Sequence, residues 1–387
     1  LQDLGAVFGE KFGWERVLYL QPGKPWRMAG EDQRKWGWGK PPYFERLRQE
    51  HQATRERACL YDLSSFGKID VRGPGALPFL QRLTDNEMNK PVGSAIYTQM
   101  LNSRGGIESD LTITRLAEDH FRAITGSGFI ANDLGWLRMN ISNEDPPVEI
   151  RDVTMEFSCL ALWGPLSRKV LEKVTQDDVS NENFPYLHAK KIDIHGVEVL
   201  AQRVSYVGEL GWELYITPER AVQVWDALMS AGEEFGIEVG GYKVLDSLRL
   251  EKGYKYFTAD VTPMEDPYSA GLGFCVQLDK GEFIGKQSLE RIKNQGRTKK
   301  LCTLILEGED YLPIYGGEAI YLDNKVISRV RSGGFGFTVN RNIAYAYLPI
   351  DNAVTGTKFN VDVFNSLIPA EVSASILVDP KGERLRE

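Results

Sequence analysis

Three segments of this chain combine residue types that could move a proton or grip a ligand. The first is NSRGGIESDLTITR, residues 102–115. Gly105 and Gly106 mark a tight turn between two strands. In the second strand Leu111 and Ile113 alternate with Thr112 and Thr114, and Asp110 stands at its start, where β-propensity disfavours an acid. A carboxylate held there could accept a proton from a ring nitrogen or stabilise a cationic iminium. Taken alone, the same acid reads first as a turn residue capping the hairpin.

The second segment is RVSYVGELGWELY, residues 203–215, with two glycines and two acids among aromatic residues. A flat heteroaromatic ring needs apolar faces and a carboxylate that accepts paired N–H bonds. Tyr206, Trp212 and Glu213 could supply these, and an ordinary hairpin with a surface acid accounts for the pattern equally well. The third is SLRLEKG, residues 247–253, where Arg249 lies between Leu248 and Leu250 in a mostly apolar helix. Arg is rarely buried without a partner. A structural ion pair is the first reading, and a fork gripping a ligand carboxylate is the second.

The elements that must position these residues are legible in part. GKIDVRGP, residues 67–74, alternates like a strand, and residues 75–84 read as a helix with Leu77, Leu80 and Leu83 on one face. SCLALWGP, residues 158–165, followed by a helix over 166–175, repeats the unit, with Pro expected at the first helical position of each. Thr217 and Pro218 open the clearest helix, striped by Val222, Trp225, Leu228 and Met229 and ended by Gly236. Residues 243–252 form another, with Val244, Leu248 and Glu251 at helical spacing.

After about residue 295 the pattern changes to short strands at 300–307, 318–322, 325–331, 343–348, 358–364 and 368–373, with a hairpin turn at Asp323 and Asn324. A small antiparallel barrel or sandwich is expected there. The glycines of residues 333–336 read as a turn, and the basic run 293–300 as a solvated linker. Residues 1–42 read as an extended arm held to the body by Trp14, Trp26, Trp36 and Trp38.

Composition narrows the classes. The 387 residues suffice for two or three domains. With 46 basic and 54 acidic residues, nothing suggests a nucleic-acid or anionic-membrane partner. Cys59, Cys159, Cys275 and Cys302 form no CxxC pair and are expected as reduced, mostly buried thiols. His51, His120, His188 and His195 share no motif, so no metal site is expected. No apolar run reaches the roughly 18 residues of a membrane span. Glu10, Lys11 and Glu15 interrupt any signal-peptide core, and Leu1 in place of Met is compatible with a processed form or a piece of a longer chain. GxGxxG, P-loop and GxSxG signatures are absent.

Together and in this order, the three segments resemble the glycine-cleavage aminomethyltransferase family. The chain is more similar still to the C-terminal halves of dimethylglycine and sarcosine dehydrogenases, through GAVFGE (5–10), GWE (13–15), YDLSSFGK (61–68), TGS (125–127), FIGKQ (283–287) and IAYAY (343–347). The resemblance implies an α+β fold of three domains, with two α+β units around a central folate pocket and a C-terminal antiparallel β-barrel. The corresponding boundaries are an arm at 1–42, a folate-binding region at 43–292 and a barrel at 300–387. It implies tetrahydrofolate as cofactor, Asp110 facing its reacting nitrogens, Tyr206 and Glu213 in its pocket, Arg249 near its glutamate tail, and Tyr97 at an aromatic position beside it.

The implied reaction traps a one-carbon unit from a methylated amine or iminium as 5,10-methylenetetrahydrofolate. A demethylase giving 5-methyltetrahydrofolate and a non-catalytic folate-binding or regulatory subunit are the alternatives. In those dehydrogenases this half follows a flavin domain that the present sequence does not contain, so the resemblance implies a separate flavoprotein oxidase or dehydrogenase subunit as partner, membership of a larger protein, or a different donor. The expected compartment is the cytoplasm, or the mitochondrial matrix in a eukaryote.

Overall fold

The computed structural model describes residues 1–30, 38–143 and 146–387. Two mainly antiparallel sheets organise the part of the chain up to about residue 280. The first runs in the order Ala95–Leu101, Ile107–Ala117, His120–Thr125, Gly67–Arg72, Glu149–Asp152. The second runs Ala189–Ile194, Val197–Gln202, Gly211–Ile216, Ser158–Trp163, Cys59–Asp62, Glu238–Gly240, with only the last pairing parallel.

Each sheet is apolar on one face because its strands alternate. Ile69, Val71, Leu111, Ile113, Phe121 and Ala123 bury one face of the first sheet against helices Ala76–Leu83 and Ile130–Met139. Leu160, Leu162, Trp212, Leu214 and Ile216 do the same in the second, against Ser167–Glu172 and Pro218–Gly232. Each fully buried Leu or Ile contributes about 1.5–3 kcal/mol. The alternate residues of both sheets therefore turn inward.

The repeated strand–helix unit is present twice, with one difference from the sequence reading. Pro74 and Pro165 precede their helices, which begin at Ala76 and Ser167. In both copies a turn intervenes, closed by Ala76 N–H to Gly73 O at 2.9 Å and by Ser167 N–H to Gly164 O at 3.0 Å. Both glycines need positive φ, 109° and 133°. A Cβ on Gly164 would also meet the Arg57 carbonyl at 2.4 Å.

Helix Pro218–Gly232 buries Val224 and Leu228, whereas Val222 is 69% exposed, so the apolar stripe is rotated from the expected one. Gly236 ends the following 3-10 turn at φ 63°. Helix Tyr242–Lys252 crosses between the sheets and the barrel, burying Val244, Leu248 and Glu251.

The last part is a closed six-stranded barrel, ordered Lys299–Leu306, Arg341–Pro349, Lys325–Gly336, Ala319–Leu322, Lys358–Val363, Ser366–Val372. Asp323 and Asn324 have φ of 48° and 61°, as a two-residue hairpin turn requires. Gly333, Gly334 and Gly336 lie inside a strand and form no turn. They are glycine because neighbours press close: a Cβ on Gly333 would meet Ile314 at 2.4 Å, and one on Gly336 would meet Ile343 at 2.6 Å. The basic run 293–300 is mostly structured too, split between helix Lys286–Gln295 and the first barrel strand.

The N-terminal residues form a small sheet, Trp14–Leu20, Ala6–Lys11, Arg27–Met28. Ala6, Phe8, Val17 and Leu20 anchor it against Val239, while Trp26 and Trp38 are 47% and 67% exposed. Trp38 nonetheless packs on the body, against Tyr315 and Phe364, and Trp26 lies edge-on to Phe8 within the small sheet, so tryptophans and apolar strand residues share the anchoring; Trp36 lies outside the described residues. All four cysteines are free and buried. No helix among the described residues is long and apolar enough to cross a membrane.

Candidate functional site between two facing sheets

Strand pairing decides which side chains meet. Asp110 is the direct cross-strand partner of Gln99, and Tyr97 lies two residues along on the same face. Gln99 donates from Nε2 to Asp110 Oδ1 at 3.3 Å, and the Tyr97 phenol faces the same carboxylate. Burial pushes the Asp110 pKa up to about 6; the Tyr97 and Gln99 hydrogen bonds pull it down, and Asp133 pushes it up. Asp133 belongs to helix Ile130–Met139 and is held by the Thr125 hydroxyl. Tyr97 stacks on Phe274 at 6.1 Å and 22°.

Glu213 occupies the matching position on the second sheet. Gln202 is its cross-strand partner, and Tyr215 stands two residues along on the same face. The Tyr215 hydroxyl donates to Glu213 Oε2 at 2.6 Å. Oε1 is left without a hydrogen-bond partner among the described residues. Burial raises the Glu213 pKa, opposed by the Tyr215 hydrogen bond and by the charge of Lys68. Lys68 reaches across from the first sheet, its ammonium donating to the carbonyls of Ser64 and Phe66 at 2.8 and 3.0 Å. Trp212, proposed from sequence as a face for the same ring, points to the opposite side of the strand. It is fully buried against Phe184 in the outer core, because adjacent residues of a strand project oppositely.

The two inward faces are tied together. Thr114, four residues along the strand from Asp110 and on the same face, donates its hydroxyl hydrogen to Gln202 Oε1 at 2.5 Å. Tyr206 lies in the loop before the Glu213 strand; its hydroxyl donates to Lys255 O at 2.9 Å and its ring stacks on Tyr254 at 6.1 Å. The charge of Arg249 and that of Asp110 both act on the Tyr206 phenol, which places the three in one neighbourhood. Arg55, from helix Phe44–Glu56, pins this loop through Val207 O at 2.6 Å and Glu209 at 2.8 Å. Glu209, the other acid of the segment, is thereby spent on structure.

Arg249 is 2% exposed and engaged inside the protein. Nη1 meets Asp260 Oδ2 at 2.6 Å and Nε meets Asp246 Oδ1 at 3.2 Å. Burial alone would lower its pKa, but Asp260 and Asp246 outweigh that and hold the guanidinium charged. The structure thus brings Asp110, Tyr97 and Tyr206 together, sets Glu213 on the facing sheet, and gives Arg249 two acidic partners of its own.

Gln99, Tyr215, Gln202, Lys68 and Arg55 were not singled out from the sequence. Gln99 and Tyr215 follow Tyr97 and Glu213 by two residues, so strand alternation carried a signal for both. Lys68 alternates with Ile69 and Val71, a pattern whose default meaning is a solvated face. Gln202 and Arg55 depend on pairings between distant segments, which no local spacing encodes.

Comparison with known proteins bears on this arrangement. Residues 1–280 match the family model described as GCVT N-terminal domain, and residues 299–379 the glycine cleavage T-protein C-terminal barrel domain. The 4-methylaminobutanoate oxidase (formaldehyde-forming) of Paenarthrobacter nicotinovorans is 37% identical over 100% of this chain and 46% of its own length. The mitochondrial dimethylglycine dehydrogenase of Homo sapiens is 33% identical over 97% of this chain and 43% of its own. The chain therefore spans less than half the length of these two relatives. An aminomethyltransferase of Halothermothrix orenii is 36% identical over 87% of this chain and 92% of its own. The solved glycine cleavage system aminomethyltransferase T from Bartonella henselae superposes with a TM-score of 0.82 at 25% identity, covering 97% of this chain and 95% of that one.

Proposed function

Since this chain belongs to the glycine cleavage T-protein family, we propose that it binds tetrahydrofolate between its two facing sheets and transfers a one-carbon unit to it. The donor is a methylated amine, by way of its iminium or formaldehyde, and the product is 5,10-methylenetetrahydrofolate. The observation that carries this reading is the pair of inward acids, Asp110 and Glu213, on opposite sheets and each backed by a phenol and a carboxamide.

The residues present fit such a ligand. Glu213 offers a free Oε1 to the N–H edge of an aminopyrimidine. Gln99 is fully buried with its Oε1 unpartnered among the described residues, an acceptor beside Asp110 open to a ligand donor. Tyr206, Tyr254 and Tyr97 supply flat apolar surface. The bound folate would supply a secondary-amine nucleophile. Asp110 would hold the proton released there, its pKa near 6 suiting it to take and return a proton near neutrality. Tyr97 and Gln99 fix its carboxylate, and the facing sheets keep the reacting groups oriented and shielded from water. Arg249 is proposed to border the folate glutamate tail, with Asp246 and Asp260 holding its guanidinium in place.

The partner we propose is a flavoprotein amine oxidase or dehydrogenase unit that generates the one-carbon unit. In support, two relatives named as an oxidase and a dehydrogenase are each more than twice as long as this chain.

Calorimetric titration with tetrahydrofolate tests the pocket. One-site binding is expected. Glu213→Ala should weaken it about tenfold to a hundredfold, since a charged hydrogen-bond acceptor is worth about 1.5–3 kcal/mol. Equal affinity for the variant would remove Glu213 from the pocket, and no binding by the unaltered chain would overturn the folate reading.

A further inference from the structure

Each of the two inward acids faces a glutamine across its ladder, and the glutamines are complementary. Gln99, opposite Asp110, spends its amide donor and leaves its oxygen unpartnered among the described residues. Gln202, opposite Glu213, spends its oxygen on the Thr114 hydroxyl and leaves its amide donor, Nε2, unpartnered among the described residues. Gln202 is 1% exposed. An unpaired donor in such a place is costly, so a ligand that satisfies it gains what the free protein lacks.

Directly paired strand residues carry their Cβ atoms about 4.5–5.5 Å apart on one face. Glu213 and Gln202 therefore present side by side a carboxylate that only accepts and a carboxamide end that only donates. The complementary ligand edge reads donor, donor, acceptor. A 4-oxo pterin has that edge in its 2-amino group, its N3–H and its O4. A 4-amino pterin does not: its N3 is an acceptor and its 4-substituent a donor.

We infer that Gln202 is a specificity residue, donating from Nε2 to O4 of a 4-oxo pterin whose N3–H and 2-amino group Glu213 accepts. The inference rests on the folate reading above and adds the ring chemistry that the pocket selects. Thr114 is the positioning residue: its hydroxyl holds the end of the Gln202 side chain, donating to the oxygen in the arrangement seen here.

The test is binding of tetrahydrofolate and of its 4-amino-4-deoxy analogue to the intact chain and to Gln202→Met, which keeps the length of the side chain and removes the donor. The unaltered chain should favour tetrahydrofolate by about tenfold or more, the loss expected from one mispaired buried group. In Gln202→Met, tetrahydrofolate should weaken by about tenfold with the 4-amino analogue unchanged, so the preference narrows about tenfold, to what the N3 mismatch at Glu213 leaves. Loss of a purely structural tie would weaken both ligands alike. That outcome, or equal binding of both by the unaltered chain, overturns the inference while leaving a folate pocket intact. A preference for the 4-amino analogue would mean the carboxamide is turned the other way and also overturns it. If the unaltered chain binds neither, the folate reading itself falls, and this inference with it. Should Gln202→Met melt far below the unaltered chain, the ratio measured on the unaltered chain decides alone.

Discussion

Asp110→Asn should lower one-carbon transfer by about a thousandfold to ten-thousandfold, the upper range for a positioned proton-transfer group, while tetrahydrofolate affinity changes only a few-fold. The amide keeps the shape and the Gln99 and Tyr97 neighbours but cannot hold the proton. Formation of 5,10-methylenetetrahydrofolate under single turnover reads the first quantity and calorimetry the second. Turnover within tenfold of the unaltered chain would remove Asp110 from the chemistry.

The same residue gives a pH dependence with two opposite signs. With a pKa near 6, the ionised form accumulates above that value, so a step needing the carboxylate loses rate as the pH falls through about 6. Stability runs the other way. The folded pKa lies above the ordinary 3.8, so the folded chain binds this proton more tightly than the unfolded one. Stability from this group falls as the pH rises from about 4 toward 6 and is flat above. Asp110→Asn should therefore be the more stable protein at pH 7, by on the order of 2 kcal/mol because the Asp110 carboxyl is half-buried rather than sealed from water. A variant that loses turnover and gains Tm would mark Asp110 as a group kept at a cost to the fold.

Arg249→Ala should cost about 3–5 kcal/mol of stability, the loss typical of breaking a buried ion pair from one side. Asp260 is fully buried, and its other bonds come from Tyr256 N–H and the Ser332 hydroxyl, so the variant strands a carboxylate between helix and barrel. Arg249→Met combined with Asp260→Asn should recover much of the loss, because the amide keeps an acceptor for those donors without a charge. Urea unfolding reads both, as a shift in midpoint at unchanged slope. A single variant within 1 kcal/mol of the unaltered chain would mean the pair is bystander to the fold.

What was legible beforehand follows from the range of the forces involved. The barrel strands and the Asp323 turn come from alternation and turn chemistry, which act within a few residues. Helix Tyr242–Lys252 and the strand–helix repeat come from local periodicity. Trp212 was misassigned because an aromatic in a strand has two possible faces, and the packing of the outer core chose between them. The glycines of 333–336 were misread as a turn because the reason for them, close approach of Ile314 and Ile343, comes from neighbours outside the segment. Asp110 and Glu213 stood out as acids in strands, but their glutamine partners are set by cross-strand register, a property of pairs rather than of segments.

One strand sits out of sequence. Cys59–Asp62 precedes the whole first sheet along the chain, yet it is built into the second, between Ser158–Trp163 and Glu238–Gly240. The two halves of the pocket are thus not beads on a string. During synthesis the second sheet has no closing edge until residue 240 has been made, and the completed first sheet waits with its polar face open to water. The interleaving also joins their fates once folded: a proteolytic nick after the first sheet would leave the N-terminal piece still holding the Cys59–Asp62 strand on which the second sheet depends. Loss of either half should then take the pocket as a single cooperative unit.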